Sequence, residues 1–166
     1  MITTTATDEK TVLTRLTALC ARRECCQGEL LQKMRRWGVD EEVQARVMQY
    51  LTVHCFVDDE RYARAFVTDK LLYNRWGRVK TDMALRAKGI SEDIRRRVLA
   101  AVSDSDYTEQ LRPLLERKAR QLTGEAPYAR RNKLLRFAVQ RGYTIDQARS
   151  CIDRMMGDTG TDPYDC

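Results

Sequence analysis

Three segments of the chain end one helical pattern on a glycine and begin another two residues later: "MRRWGVDEEVQARVMQYL", "LRAKGISEDIRRRVLAAV" and "AVQRGYTIDQARSCIDRM". The glycines are Gly38, Gly89 and Gly142, separated by 51 and 53 residues. Each is followed by an apolar residue (Val39, Ile90, Tyr143) and then by a residue with a capping oxygen (Asp40, Ser91, Thr144). A glycine in the left-handed conformation ends one helix, the next residue packs inward, and the Asp, Ser or Thr oxygen accepts unpaired N–H groups of the following helix. Apolar residues then recur nine, ten and thirteen places on: Val47, Met48 and Leu51; Val98, Leu99 and Val102; Cys151, Ile152 and Met155. That is helical spacing, and its recurrence every 50 or so residues predicts a repeat architecture.

Each repeat has room for one more helix upstream, and "TVLTRLTALCAR", "ERYARAFVTDKLLY" and "TEQLRPLLERKARQLTG" fill it. The expected fold is all-α: three tandem three-helix repeats forming an elongated, curved array. The repeats cover residues 11–57, 58–103 and 107–156, with a disordered N-terminus at 1–10 and a disordered acidic tail at 157–166. With 43% hydrophobic residues in 166, the chain can bury a core without metal or disulfides, and only 3 prolines interrupt it. No run is long and apolar enough to span a membrane, and "MITTTATDEK" lacks the basic and apolar regions of a signal peptide. A cytoplasmic protein is expected.

The stretch "FVDDERYARAF" sets Asp58, Asp59 and Glu60 before an arginine-aromatic run. Three acids in a row invite a catalytic reading, yet no nucleophile, base or metal-ligand set lies near them in sequence. The acids fall where the second repeat's first helix begins, and negative charge stabilises a helix N-terminus. Tyr62 and Phe66 lie four apart on its inward face. Asp58, Asp59, Arg61, Tyr62 and Phe66, with Gly38, Gly89 and Gly142, are therefore read as structural. The six cysteines form no CxxC pair, and they read as small buried hydrophobes, with Cys166 a free thiol on the tail. His54 falls on a stripe with Val43, Val47, Tyr50 and Leu51 and reads as a core histidine. Trp37 and Trp76 each sit beside a turn glycine and read as packing between repeats. No P-loop, dinucleotide-binding glycine pattern or activated nucleophile is present, so no catalytic residue, metal or cofactor is expected and the chain should act by binding.

The pattern resembles the RecX family, bacterial regulators of the RecA recombinase. The resemblance lies in "FVDDERYARAF", "RWGRVKTDMALRAKGI" and "KLLRFAVQRGY", which together span most of the chain between about Leu13 and Met156. Thr81 and Ala84 stand where the family usually has an apolar residue and an acid. Cys26 stands before "GEL" where the family usually has a capping Ser; a thiol caps poorly, which predicts fraying at the start of the second helix. The resemblance implies a monomer that binds along the RecA filament on single-stranded DNA and inhibits its strand-exchange, ATPase and coprotease activities. A direct DNA-binding protein of helix-turn-helix type, on single- or double-stranded DNA, is the alternative.

Charge is where binding can be sought. The chain carries 30 basic and 24 acidic residues, a net charge of +6, and residues 107–156 alone hold 11 basic against 5 acidic side chains. An anionic partner is favoured. "YARRNKLLRFAVQRGY" has five basic residues and no acid between Ala126 and Gly142. On a helical projection Leu134, Leu135, Ala138 and Val139 form one stripe, with Arg130, Lys133, Arg136 and Arg141 across from it and Phe137 among the charges. Phe137 either packs on a neighbouring element or joins the cations in a contact surface. A second candidate lies in the middle repeat at Arg75, Arg78 and Lys80, and "IRRRVL" (Arg95, Arg96, Arg97) is a weaker one.

Overall fold

The computed structural model describes residues 8–157, and over these the chain forms nine α-helices and no strand. They are α1 (Glu9–Arg22), α2 (Gln27–Arg36), α3 (Glu41–Val53), α4 (Asp59–Leu72), α5 (Arg78–Ala87), α6 (Glu92–Ala100), α7 (Asp104–Gln121), α8 (Pro127–Gln140) and α9 (Ile145–Gly157). The all-α repeat expectation holds. Glu9 and Lys10 form the first turn of α1 and Gly157 the last of α9, so order extends into both stretches expected to be disordered; the rest of those stretches, with Cys166, lies outside the described residues.

All three repeat glycines carry positive φ: 68° at Gly38, 80° at Gly89 and 93° at Gly142. Each stop has the same double hydrogen bond. Gly38 N–H reaches Arg35 O and Val39 N–H reaches Met34 O, with Gly89–Arg86 and Ile90–Leu85, then Gly142–Val139 and Tyr143–Ala138, repeating the scheme. Val39, Ile90 and Tyr143 are buried, as a residue following such a stop should be. The caps are less uniform. Thr144 and Gln147 exchange hydrogen bonds at the start of α9, and Ser91 Oγ receives Ile94 N–H at 3.5 Å, whereas the Asp40 side chain makes no capping bond.

The chain divides into two compact units. The first comprises the residues up to Ala65 together with Leu85–Arg95; the second comprises Phe66–Ala84 and the residues from Arg96 onward. In the first unit Val12, Leu16, Leu30, Met34, Val47 and Leu51 make a core, with Trp37 and Phe56 packed on it. In the second, Tyr107, Leu111, Leu115, Leu134, Tyr143 and Ile152 do the same. Two expectations fail at the end of α3. His54 is exposed as the residue closing the helix, its ring 4.2 Å from that of Tyr50, which is itself 42% exposed; the stripe runs out of the core one turn earlier, at Leu51. Cys55 is also exposed, because it takes φ 58° to turn the chain toward α4. Cys25, Cys26 and Cys151 are buried as expected, and burial pushes the Cys25 thiol up to about 11, far from a reactive thiolate.

Candidate functional site

The acid cluster is a joint between helices. Asp58 Oδ1 accepts the N–H groups of Glu60 and Arg61, both at 2.9 Å, and so caps α4. Asp59 turns elsewhere: its Oδ1 accepts Gln27 N–H at 2.8 Å, at the first residue of α2. Cys26, the residue preceding that helix, makes no side-chain capping bond, and the Asp59 carboxylate of α4 holds the first N–H of α2, one short of those a hydroxyl at position 26 would reach. α2 starts at Gln27, directly after the thiol, with its first N–H held by that carboxylate. Burial, with the Asp58 charge adding and Gln27 N–H opposing, raises the Asp59 carboxyl above its ordinary range. Arg61 binds Glu24 at 2.8 Å and the Cys55 carbonyl, and the Tyr62 hydroxyl donates to Glu29.

Glu29 is the hub of this region. It accepts Lys88 Nζ at 2.8 Å and Arg23 at 3.1 Å. Burial pushes its carboxyl up, but the hydrogen bonds from Lys88 and Arg23 outweigh that and hold it below the usual range. Beside it, a Cβ on Gly28 would lie 2.2 Å from the Lys88 carbonyl oxygen, so only glycine allows this approach. These residues hold backbone and charge in place, and Gly28, Glu29 and Lys88 also line an open cavity of about 420 Å³. Among the described residues no group of three or more His, Cys, Asp or Glu could hold a metal ion, and no helix is long and apolar enough to cross a membrane.

The cationic candidates fare differently from one another. In α8, Arg130 donates to the Ala119 carbonyl at 3.2 Å, and Lys133 pairs with Glu125. Phe137 is half-buried against the core of the second unit, with Lys118 and Arg141 over its ring at 5.7 and 5.4 Å. A shallow groove of about 350 Å³ runs past Lys118, Leu122, Lys133, Arg136, Phe137 and Gln140. In the middle repeat Arg78 turns inward over the Tyr107 ring at 5.1 Å and reaches Val102 O and Asp104. Arg95, of the weaker candidate, donates to Ile90 O at 2.7 Å.

Arg75, Lys80 and Arg141 come together, although the first two precede the last by more than sixty residues. The turn between α4 and α5 is laid against the turn between α8 and α9. Gly77 N–H donates to Arg141 O at 2.8 Å, Val79 N–H to Gly142 O at 3.0 Å, Arg141 to Asn74 O at 3.2 Å, and the Tyr143 hydroxyl to Arg75 O at 3.0 Å. Burial pushes the Tyr143 phenol far above its usual range, which keeps it a donor. Trp76, expected to pack between repeats, is half-exposed with Lys70 and Lys80 standing over its ring at 5.2 and 4.6 Å. The sequence reading names Lys80 and passes over Lys70, Tyr73 and Met83. The signal was available: from Lys70 to Thr81 there are four cations and no carboxylate.

The fold and surface together define an all-α repeat protein in which three partly exposed cations, Arg75, Lys80 and Arg141, meet where two helical turns are laid together. Comparison with known proteins agrees. Residues 58–99 match the family model described as RecX, second three-helix domain, and residues 104–152 match that described as RecX, third three-helix domain. "Regulatory protein RecX" of Halorhodospira halophila (strain DSM 244 / SL1) is 31% identical over 149 residues, 88% of this chain and 89% of that one. "Regulatory protein RecX" of Leuconostoc citreum (strain KM20) is 29% identical over 127 residues, 76% of this chain but 48% of that one. For that of Clostridium perfringens (strain 13 / Type A) the figures are 31% over 131 residues, 78% and 61%. The chain thus spans about half to three-fifths of those two longer relatives. Among solved structures, the crystal structure of RecX from Lactobacillus salivarius superposes with a TM-score of 0.83, covering 88% of this chain and 95% of that one at 18% identity, a likeness of fold. The chain belongs to the RecX family.

Proposed function

We propose that this chain is a regulatory protein that binds the RecA filament assembled on single-stranded DNA and mainly inhibits its recombinase, ATPase and coprotease activities, acting as a cytoplasmic monomer without cofactor or catalytic residue. The observation that carries the reading is the gathering of Arg75, Lys80 and Arg141 at one corner, in a chain whose relatives are named regulatory proteins. Fixed cations at that corner, with Arg136 on the adjoining helix, suit an anionic partner, and electrostatic complementarity raises association rates and specificity. Arg78 and Arg130 act in this reading as supports, since each is engaged with the backbone of its own unit.

The test is cosedimentation with RecA assembled on single-stranded DNA, run beside DNA alone, together with the filament's ATPase rate. Pelleting with the filament well above the DNA background, and a falling ATPase rate, are expected. Pelleting with DNA alone to the same extent would replace this reading with direct DNA binding. Lys133→Glu with Arg136→Glu should weaken inhibition while the melting temperature barely moves, because exposed charges contribute about 0 to 1 kcal/mol each to folding.

A further inference from the structure

Nine large apolar side chains are exposed among the described residues, and four of them, Leu72, Tyr73, Val79 and Met83, fall within twelve residues of chain. Tyr73 is 82% exposed and Met83 66%. Val79 and Met83 are four apart on α5 and share a face. This stretch of chain overlaps the acid-free one from Lys70 to Thr81, with Asp82 next to Met83, so exposed apolar groups and cations largely coincide.

The loop that presents them is held rigidly. Four hydrogen bonds to Arg141, Gly142 and Tyr143 fix its backbone, and Arg75 sits at φ 52°, in the left-handed region that favours glycine. A non-glycine residue persists there only where its surroundings over-determine it, and such strain gathers at recognition sites. A loop fixed before binding loses little freedom on binding.

The chemistry distinguishes between anionic partners. A single-stranded nucleic acid would use an open aromatic face for stacking. Here Lys70 and Lys80 stand over the Trp76 ring, and of the exposed groups Tyr73 alone offers a ring while Leu72, Val79 and Met83 offer none. Tyr, Trp, Met and Arg are enriched at protein interfaces, where a few such side chains seat in pockets and carry most of the affinity. We propose that Leu72, Tyr73, Val79 and Met83, with Lys80 and Arg141 beside them, form the surface that docks the protein of the filament, on an acidic face bearing apolar pockets, and that its DNA is not the group they contact. This rests on the filament-binding reading above.

The experiment is titration of Tyr73→Ala, Met83→Ala and Lys80→Glu against RecA on single-stranded DNA and against the DNA alone. Tyr128→Ala serves as control, since Tyr128 is 78% exposed and lies at the start of α8. Thermal melts establish that each variant is folded, as side chains this exposed should allow. Each of the three substitutions should weaken filament binding about tenfold or more, while the control stays within about twofold. If the wild type pellets with the filament and the three variants do so equally well, the docking surface is refuted and the filament reading stands. If the variants lose binding to DNA alone in the same proportion, the partner is the nucleic acid and the proposal fails. A wild-type protein that does not pellet with the filament sinks the functional reading and this inference together.

Discussion

Replacing Asp59 with Ala should destabilise the protein through a helix to which Asp59 does not belong. The lost interaction is the 2.8 Å bond from Gln27 N–H, which leaves the first turn of α2 without a cap because Cys26 supplies none. A hydrogen bond to a charged group is worth about 1.5–3 kcal/mol, but the raised Asp59 carboxyl means that burial already opposes its charge, which draws the net cost down to about 1–2 kcal/mol. For a chain of this length each kcal/mol corresponds to about 2–4 °C in melting temperature. The diagnostic step is a double-mutant cycle with Cys26→Ser. A serine hydroxyl caps the second or third N–H of a helix, so a serine at position 26 would serve Gly28 or Glu29 and leave Gln27 N–H to Asp59, and Asp59→Ala should cost about the same in either background, a coupling under about 0.5 kcal/mol. Urea denaturation followed by circular dichroism reads both, with Asp58→Ala as reference: it should cost about 1 kcal/mol in either background, since its bonds to Glu60 and Arg61 N–H are independent of residue 26. A cost for Asp59→Ala that halves with Ser at position 26 would refute a separate cap on Gln27 N–H.

The three repeat glycines, alike in sequence, should differ on substitution by Ala: at Gly142 the added carbon would lie 2.3 Å from Lys80 Cβ and 2.6 Å from its backbone nitrogen, for a loss of about 3 kcal/mol, whereas Gly38 has open space and should lose about 1 kcal/mol, as thermal melts will show. Stability should also fall in acid through Glu29. Its carboxyl titrates below the ordinary 4.5 in the folded state, so the unfolded chain takes up the proton first; the contribution is complete above about pH 4.5 and is lost as pH drops through the folded value. Glu29→Gln should flatten the urea midpoint between pH 3 and 5, and Asp59, shifted the other way, contributes with opposite sign. Arg75→Gly relieves a left-handed residue and should change stability by less than about 1 kcal/mol, yet weaken filament binding as the loop loosens. Phe137→Ala should cost about 2–3 kcal/mol, because the ring packs on the core of its unit, and a negligible loss would return it to the surface.

What the sequence disclosed was whatever depends on near neighbours. Gly38, Gly89 and Gly142 end helices because a left-handed stop needs only the glycine and the next apolar residue, so the stops and all nine helices were legible to within a few residues. What it concealed depends on which distant segments meet. Nothing near Asp59 in the chain points to Gln27, thirty-two residues away, so a local argument from Cys26 could not include the distant carboxylate that holds the first N–H of α2. His54 failed for a related reason: periodicity says which face a residue lies on, but not where the core stops. In the cationic surface, composition found α8, while the pairing of Lys133 with Glu125 and the burial of Arg130 against Ala119 O required the fold.

Neither compact unit is continuous in the chain. The first is left at Ala65 and resumed at Leu85–Arg95, so α4, α5 and α6 each give residues to both. A nascent chain that has exposed its first 65 residues still lacks the Lys88 that neutralises Glu29 and the backbone that covers Gly28. At about 5–20 residues per second, it waits about 2–6 s before that segment emerges. During this interval the groups that join α2 to α4, Asp59 on Gln27 N–H and the Tyr62 hydroxyl on Glu29, have already been made, and Glu29 has Arg23 but not yet Lys88 to complete its charge network.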